Sequence, residues 1–317
     1  FENNEASSDF KIGGDAKLTI ANSMNLDLTL NPDFSQVEVD QQVTNLTRFE
    51  VGLPERRQFF IENSDLFGDF GDNRDANPFF SRRIGIAKNI NDENIENRII
   101  GGVRLSGKVN NNLRLGILSI QTDEDVANEI PTVNNSVISI QHKVFSRSNI
   151  SFLFINKQAT KDYDFLAEED KYNRVLGIDY TLASKDNTWS GKYYFHKSFS
   201  PGISTKDFSG GFRTEFNNRR LGIRISGVFV ADDFRSDLGF IRRTDILKIN
   251  PQFQLKFWPK KGKIQQHNFS ITPVYIWRPE LEYQNSDYTI ISRWQASFKN
   301  NSSLNFEMFN RFIRLYD

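Results

Sequence analysis

The chain has 317 residues, of which 38% are hydrophobic, and its mean hydropathy is −0.53. Its 40 basic and 40 acidic side chains cancel, so the net charge gives no support to a nucleic-acid partner. Cysteine is absent, which excludes disulfides, thiolate metal sites and cysteine nucleophiles.

The first predicted element is a β-hairpin near the start of the chain. Apolar and polar residues alternate in two short runs, which is the period-2 signature of a strand with two different faces. The apolar positions are Ala16, Leu18 and Ile20 in the first run and Leu26, Leu28 and Leu30 in the second.

A charged segment follows, from Asn31 to Phe70, in which Pro32 and Pro54 limit regular structure. It is too aperiodic for a long helix. Charged side chains inside a barrel commonly pair with one another and with the wall, so we expect a plug held by ion pairs. The residues that we expect to bind in this plug or in the lumen are Asp33, Glu38, Asp40, Arg48, Glu50, Glu55, Arg56, Arg57, Glu62 and Asp65.

From about Asn97 onward, alternating segments of roughly ten residues recur about a dozen times, twice the usual length of strands in soluble sandwiches. Short polar turns, such as 110–112 and 146–148, alternate with longer links, such as 122–135 and 158–172. This pattern is typical of an up-and-down membrane barrel, although a soluble antiparallel sandwich also alternates. Aromatic residues that would form interfacial girdles at the strand ends are Trp189, Phe199, Phe208, Phe216, Trp258 and Trp277.

The predicted fold is therefore all-β, an antiparallel up-and-down transmembrane β-barrel with an N-terminal charged plug-like segment. Residues 1–96 would supply the hairpin and the plug, and residues 97–317 the barrel strands, within one domain. The chain starts at Phe1 without a secretory signal and stops just after a strand-like segment, so we expect a truncated piece of a longer barrel.

Catalysis is the sharper alternative for the charged segment, because two of its carboxylates, such as Glu55 and Glu62, could act as general acid and base on a glycan. An ion-pair network is the favoured interpretation. The three histidines have no second ligand at metal-binding spacing, and no nucleotide or nucleophile motif occurs. We expect no catalytic residues, no metal site and no cofactor.

The charged segment also carries a resemblance. The runs NPDFSQVEVD at 31–40, NLTRFE at 45–50 and PERRQFFIENSDLF at 54–67 resemble the signature of uncharacterised outer-membrane proteins of Bacteroidota. The run from Asp237 to Phe240, with Arg242 and Arg243 after it, resembles another element of that family. In that family, a barrel domain of unknown function typically follows a carbohydrate-binding sandwich similar to family 9 modules.

The resemblance implies a bacterial outer-membrane location, with membrane lipid, a glycan or oligosaccharide, and an upstream carbohydrate-binding domain as partners. The first hypothesis is a porin-like or plugged barrel that binds or passes a solute, which by the resemblance is glycan-related. The alternatives are a membrane anchor that displays a carbohydrate-binding module and, less favoured, a glycan hydrolase.

Overall fold

The computed structural model describes residues 12–20, 23–32 and 54–314, and nearly all of their regular structure is β. No helix in these ranges is long and apolar enough to cross a membrane. The α-helices of this part are α1 (Gln58–Ile61) and α2 (Asp65–Gly68), with single 3-10 turns at Ser81–Arg83, Val126–Asn128, Glu168–Asp170 and Pro279–Leu281. The strands are β1 (Gly14–Ile20), β2 (Met24–Leu30), β3 (Ala76–Asn77), β4 (Ile86–Lys88), β5 (Asn94–Glu96), β6 (Ile99–Lys108), β7 (Leu113–Thr122), β8 (Val133–Val144), β9 (Ser148–Ala159), β10 (Tyr172–Ala183), β11 (Trp189–Phe199), β12 (Phe208–Asn217), β13 (Leu221–Val230), β14 (Phe240–Ile241), β15 (Ile246–Ile249), β16 (Gln252–Phe257), β17 (Ile264–Arg278), β18 (Gln284–Phe298) and β19 (Ser303–Ile313).

One large antiparallel sheet dominates the described part of the chain and contains fifteen of these strands. Its order is β1-β2-β6 and then follows the chain to β13, where β15 and β16 pair in succession before β17, β18 and β19. The predicted hairpin is confirmed, with Leu18 opposite Leu26. The all-β prediction is therefore confirmed at the level of a large antiparallel sheet.

The connections between strands lie at two opposite edges of the sheet, where the strands end. Short turns at 109–112, 145–147, 184–188 and 218–220 join neighbouring strands at one edge, as the alternation in the sequence predicts. Longer links at 123–132, 160–171, 200–207 and 231–245 lie at the opposite edge, which we call the long-loop edge.

The two faces of the sheet differ in exposure and in chemistry. On β9, Ser151, Leu153 and Ile155 are buried, while the alternate residue Phe152 is 49% exposed. We call these the covered face and the exposed face. The covered face carries buried charged and polar residues, including Arg104 and His196. The exposed face carries many large apolar residues, such as Phe152, which form an unusually apolar exposed surface.

Residues 54–98, which we call the inner segment, explain why one face is covered. They belong to the connection between β2 and β6, which are neighbours in the sheet. Leu66 and Phe67 of this segment pack in one apolar cluster with Leu118 and Leu153 of the sheet. The hairpin of residues 1–96 thus lies in the same sheet as the strands of residues 97–317.

Candidate binding site on the covered face

Four acidic side chains of the inner segment pair with basic side chains on four different strands of the sheet. Such charge-assisted contacts fix position as well as adding energy. The pairs are Glu62 with Lys17 of β1, Asp65 with Arg114 of β7 at 2.6 Å, Asp69 with Lys192 of β11 at 2.9 Å, and Asp75 with Lys248 of β15.

Glu55 and Arg57 anchor the start of the inner segment. The Arg57 guanidinium donates to both carboxylate oxygens of Glu55, at 2.8 and 2.7 Å, and to the carbonyl oxygen of Ile84 at 2.6 Å. Burial by itself would raise the pKa of Glu55, but hydrogen bonds from Arg57 and from the Ser81 hydroxyl, with the charge of Arg57, outweigh it and lower the pKa. Glu55 is therefore held as a carboxylate.

Glu62 and Asp65 lie further along the inner segment. The hydrogen bond from Lys17 lowers the pKa of Glu62, and the bond from Arg114 lowers the pKa of Asp65. A general acid in glycan hydrolysis needs a raised pKa, so these carboxylates give no support to the hydrolase alternative. The side chain of Arg56 is exposed. Asp33, Glu38, Asp40, Arg48 and Glu50 lie outside the described residues.

Two buried polar contacts on the covered face escaped the sequence prediction. Arg104 is buried and donates to Asp27 at 2.8 Å and to the carbonyl oxygen of Glu62 at 2.9 Å. Asp179 accepts from the backbone N–H of Gly71 at 2.9 Å and hydrogen-bonds His196 at 2.7 Å. Both sets of contacts tie the sheet to the inner segment. The polar phase of the alternation places these residues on one face, but it does not reveal their partners.

The long link 231–245 clamps the middle of the inner segment. Its strand β14 pairs with β3, and the Ser236 hydroxyl donates to the carbonyl oxygen of Pro78 at 2.6 Å. A Cβ atom at Gly239 would lie 2.6 Å from the carbonyl oxygen of Asn77, so the close approach requires glycine. The run at 237–240 that carries part of the resemblance is thus a contact to the inner segment.

Asp237 is the charged centre of this clamp. It accepts from Arg235 at 3.0 Å and from Lys157 of β9 at 3.2 Å. Burial by itself would raise the pKa of Asp237, but the charges of Lys157 and Arg235 and their hydrogen bonds lower it. Asp237 therefore stays ionised and holds two cationic side chains beside the cavity described next.

A cavity of about 930 Å³ lies between the inner segment and the long-loop edge. It is bounded by the 82–97 part of the inner segment and by the links that follow β7, β9 and β13. Its lining is mixed, with buried Asn97 and Asn135, the ion pair of Lys157 and Asp237, and apolar walls. This volume lies within the roughly 300–1,000 Å³ of small-molecule sites.

No group of three or more histidine or acidic side chains in the described residues is arranged to hold a metal ion. The lining of the cavity itself carries hydrogen-bonding, charged and apolar side chains.

The family model described as Domain of unknown function (DUF5916) matches residues 1–317. The chain belongs to this family. The match spans both the inner segment and all the strands of the sheet, so the sheet and the clamp are parts of one family domain. No match was found among curated proteins or among solved structures.

Proposed function

We propose that the sheet is the wall of a bacterial outer-membrane β-barrel, which the inner segment obstructs and which binds a solute at the long-loop edge. The apolar exposed face carries this proposal. Leu176 and Phe195 are 51% and 50% exposed, whereas Asp179 and His196 on the same strands are buried. Water penalises such an arrangement, and a lipid environment around the exposed face removes the penalty.

The exposed face also has a boundary that fits a membrane surface. Toward the long-loop edge, two adjacent rows on β7 to β10 turn from apolar to mainly polar. Their side chains hydrogen-bond to one another, for example Arg174 to Asn156 at 2.9 Å. The rows are Ser119, Ser136, Asn156 and Arg174, and then Gln121, Asn134, Gln158 and Tyr172.

Aromatic residues at the strand ends give further support. Trp189 begins β11 and contacts Phe216 near the end of β12, with ring centroids 5.0 Å apart. At the opposite edge Tyr275 stacks on Trp277 at 5.8 Å. Aromatic rings at both ends of the strands are typical of the interfacial girdles of membrane barrels.

The ion pairs and apolar cluster of the inner segment favour a plugged barrel over an open pore. A plugged barrel can also serve as an anchor, and this second candidate is favoured by the clamp at 231–245, which fixes the plug from the long-loop edge. The resemblance to Bacteroidota envelope proteins supports the outer-membrane location. It is also the basis for expecting a glycan-related role and an upstream carbohydrate-binding module.

The test is heat-modifiable migration together with bilayer conductance of the full-length protein, refolded in detergent. Compact barrels resist SDS until they are boiled, so we expect faster migration of the unheated sample and little steady conductance. Stable conductance would contradict the plugged state and indicate an open pore. Solubility in plain buffer without a heat-dependent shift would overturn the membrane proposal.

A further inference from the structure

The side chains that line the cavity at the long-loop edge limit the classes of ligand that it can bind. Five basic and four acidic side chains line it, so the lining favours neither an anion nor a cation overall. Asp170 and Asp237 are both paired with Arg235. The nine charged residues are Arg82, Arg83, Lys88, Lys157, Arg235, Glu96, Glu129, Asp170 and Asp237.

Two amide side chains line the cavity without a hydrogen bond. Asn97 and Asn135 are 9% and 3% exposed, and neither side-chain amide has a hydrogen bond within the described part of the chain. An amide side chain that lines a cavity and has no protein partner can hydrogen-bond to a ligand there, and such bonds add affinity. Each asparagine amide offers a donor and an acceptor, which complements the C=O and N–H of a peptide group.

The apolar part of the cavity lining is mainly aliphatic. Three phenylalanines contribute, at positions 80, 165 and 234, whereas no tyrosine or tryptophan is among the described lining residues. Aliphatic walls gain free energy by burying apolar side chains, which a neutral sugar does not offer. The aliphatic lining residues include Ile86, Ile95, Ile130, Val133, Leu166 and Leu238.

From these observations we propose that the cavity binds a short peptide, with the peptide groups on Asn97 and Asn135 and apolar side chains against the aliphatic walls. The peptide carboxylate binds Lys157, which donates one of its three N–H groups to Asp237 and has two left for the ligand. The peptide amine meets Glu96 or Glu129. This inference rests on the proposed solute-binding function and names its ligand class.

Calorimetric titration of the refolded full-length protein with tri-leucine tests the proposal. We expect saturable binding that Asn135→Leu weakens by about tenfold, since peptide hydrogen bonds to a buried amide are lost. The matched control is Asn149→Leu, on the covered face of β9 but at the short-turn edge, and it should leave the affinity unchanged.

The variant Lys157→Met distinguishes a role of Lys157 in binding the peptide carboxylate from a role in the fold alone. The unchanged chain should bind tri-leucine more tightly than its C-terminal amide, and the variant should bind the two equally. Equal losses with Asn135→Leu and Asn149→Leu, or no loss with Asn135→Leu, would overturn the placement of the site.

The carbohydrate rival is tested with maltotriose. Saturable binding of maltotriose but not of tri-leucine would overturn the peptide assignment, and binding of neither by a heat-modifiable protein would overturn the site. Peptide binding by a protein that dissolves in plain buffer without a heat shift would instead overturn the membrane proposal and leave the site standing.

Discussion

At the scale of single residues, several buried charges on the covered face are compensated by a specific partner. Arg104 is the clearest case, because its side chain is only 2% exposed and its salt bridge to Asp27 measures 2.8 Å. A buried ion pair adds little net stability relative to an apolar pair, but loss of one member leaves an uncompensated charge. These pairs therefore determine the positions of the paired side chains more than they add to the free energy of unfolding.

Replacement of Arg104 tests this reasoning. Arg104→Leu should lower the free energy of unfolding of the refolded protein by about 3–5 kcal/mol, because Asp27 then stays buried without a counter-charge. The double variant Asp27→Leu with Arg104→Leu should recover much of that loss. Urea titration of the three proteins in detergent measures both effects, and a double variant no better than the single one would contradict the explanation.

Gly116 of β7 seats the inner segment by its small size. A Cβ atom at this position would lie 2.8 Å from the ring of Phe67. Gly116→Ala should therefore displace Phe67 and make the inner segment more sensitive to limited proteolysis. Gly14→Ala is the matched control, since nothing lies within 4 Å of its added Cβ, and it should leave the cleavage rate unchanged.

At the scale of elements, the inner segment is held by contacts that sequence-distant strands supply. Lys17 lies on β1 and Lys248 on β15, so the contacts of the segment extend across the covered face from β1 to β15. Each pair is modest by itself when it is partly exposed. Together with the apolar cluster around Phe67, the pairs set one position for the whole segment.

Neutralising the acidic side of all four pairs should release the segment. We expect the combined variant to gain steady bilayer conductance while keeping its heat-modifiable shift, because the wall is untouched. Its changes are Glu62→Gln, Asp65→Asn, Asp69→Asn and Asp75→Asn. The control neutralises four exposed acids in the long loops, Asp162→Asn, Asp164→Asn, Glu169→Gln and Asp232→Asn, and it should stay closed.

The same contacts set a pH dependence. The pKa values of Glu62 and Asp65 are lowered from 4.5 and 3.8 by hydrogen bonds from Lys17 and Arg114. A carboxyl group whose pKa is lowered by folding stabilises the folded state at pH values above its unfolded-state pKa. This stabilisation is lost as the pH falls through its folded-state pKa. Protection of the inner segment from hydrogen exchange should be constant from about pH 5 to pH 8 and fall below about pH 4. Protection that decreases toward alkaline pH would contradict this.

At the scale of the whole molecule, the sheet separates two environments. On β7 to β10, the exposed face is apolar in the part that lies toward the short turns and polar in the two rows nearest the long-loop edge. A charge should therefore have a different cost at two positions on one strand.

Strand β9 offers that comparison, because Phe152 and Gln158 both lie on its exposed face. If the sheet forms the proposed barrel, Phe152→Lys should destabilise the refolded protein in lipid by about 2–4 kcal/mol, whereas Gln158→Lys should cost about 0–1 kcal/mol. Unfolding titrations in lipid vesicles measure the difference. Equal costs at the two positions would contradict a membrane boundary between them.

Much of this architecture could be predicted from the sequence, because period-2 alternation and turn residues act locally. The hairpin around Leu18 and Leu26 and the alternating short and long connections followed from such patterns. The pairing of β2 with β6 could not, since nothing local relates Leu26 to Leu105. In the same way, the charges of Glu62 and Asp65 were visible, whereas their partners Lys17 and Arg114 depend on how the sheet is assembled.

The insertion between β2 and β6 has a consequence for the order of folding. The two strands can pair only after the chain between them, residues 31–98, has closed a long loop, and this closure has an entropic cost that local hairpins avoid. Hairpins such as β8–β9 should form early, and the β1–β2 hairpin should dock late, once the inner segment is in place. The segment would then act as an internal template, and damage to it would appear first as slow assembly of the wall.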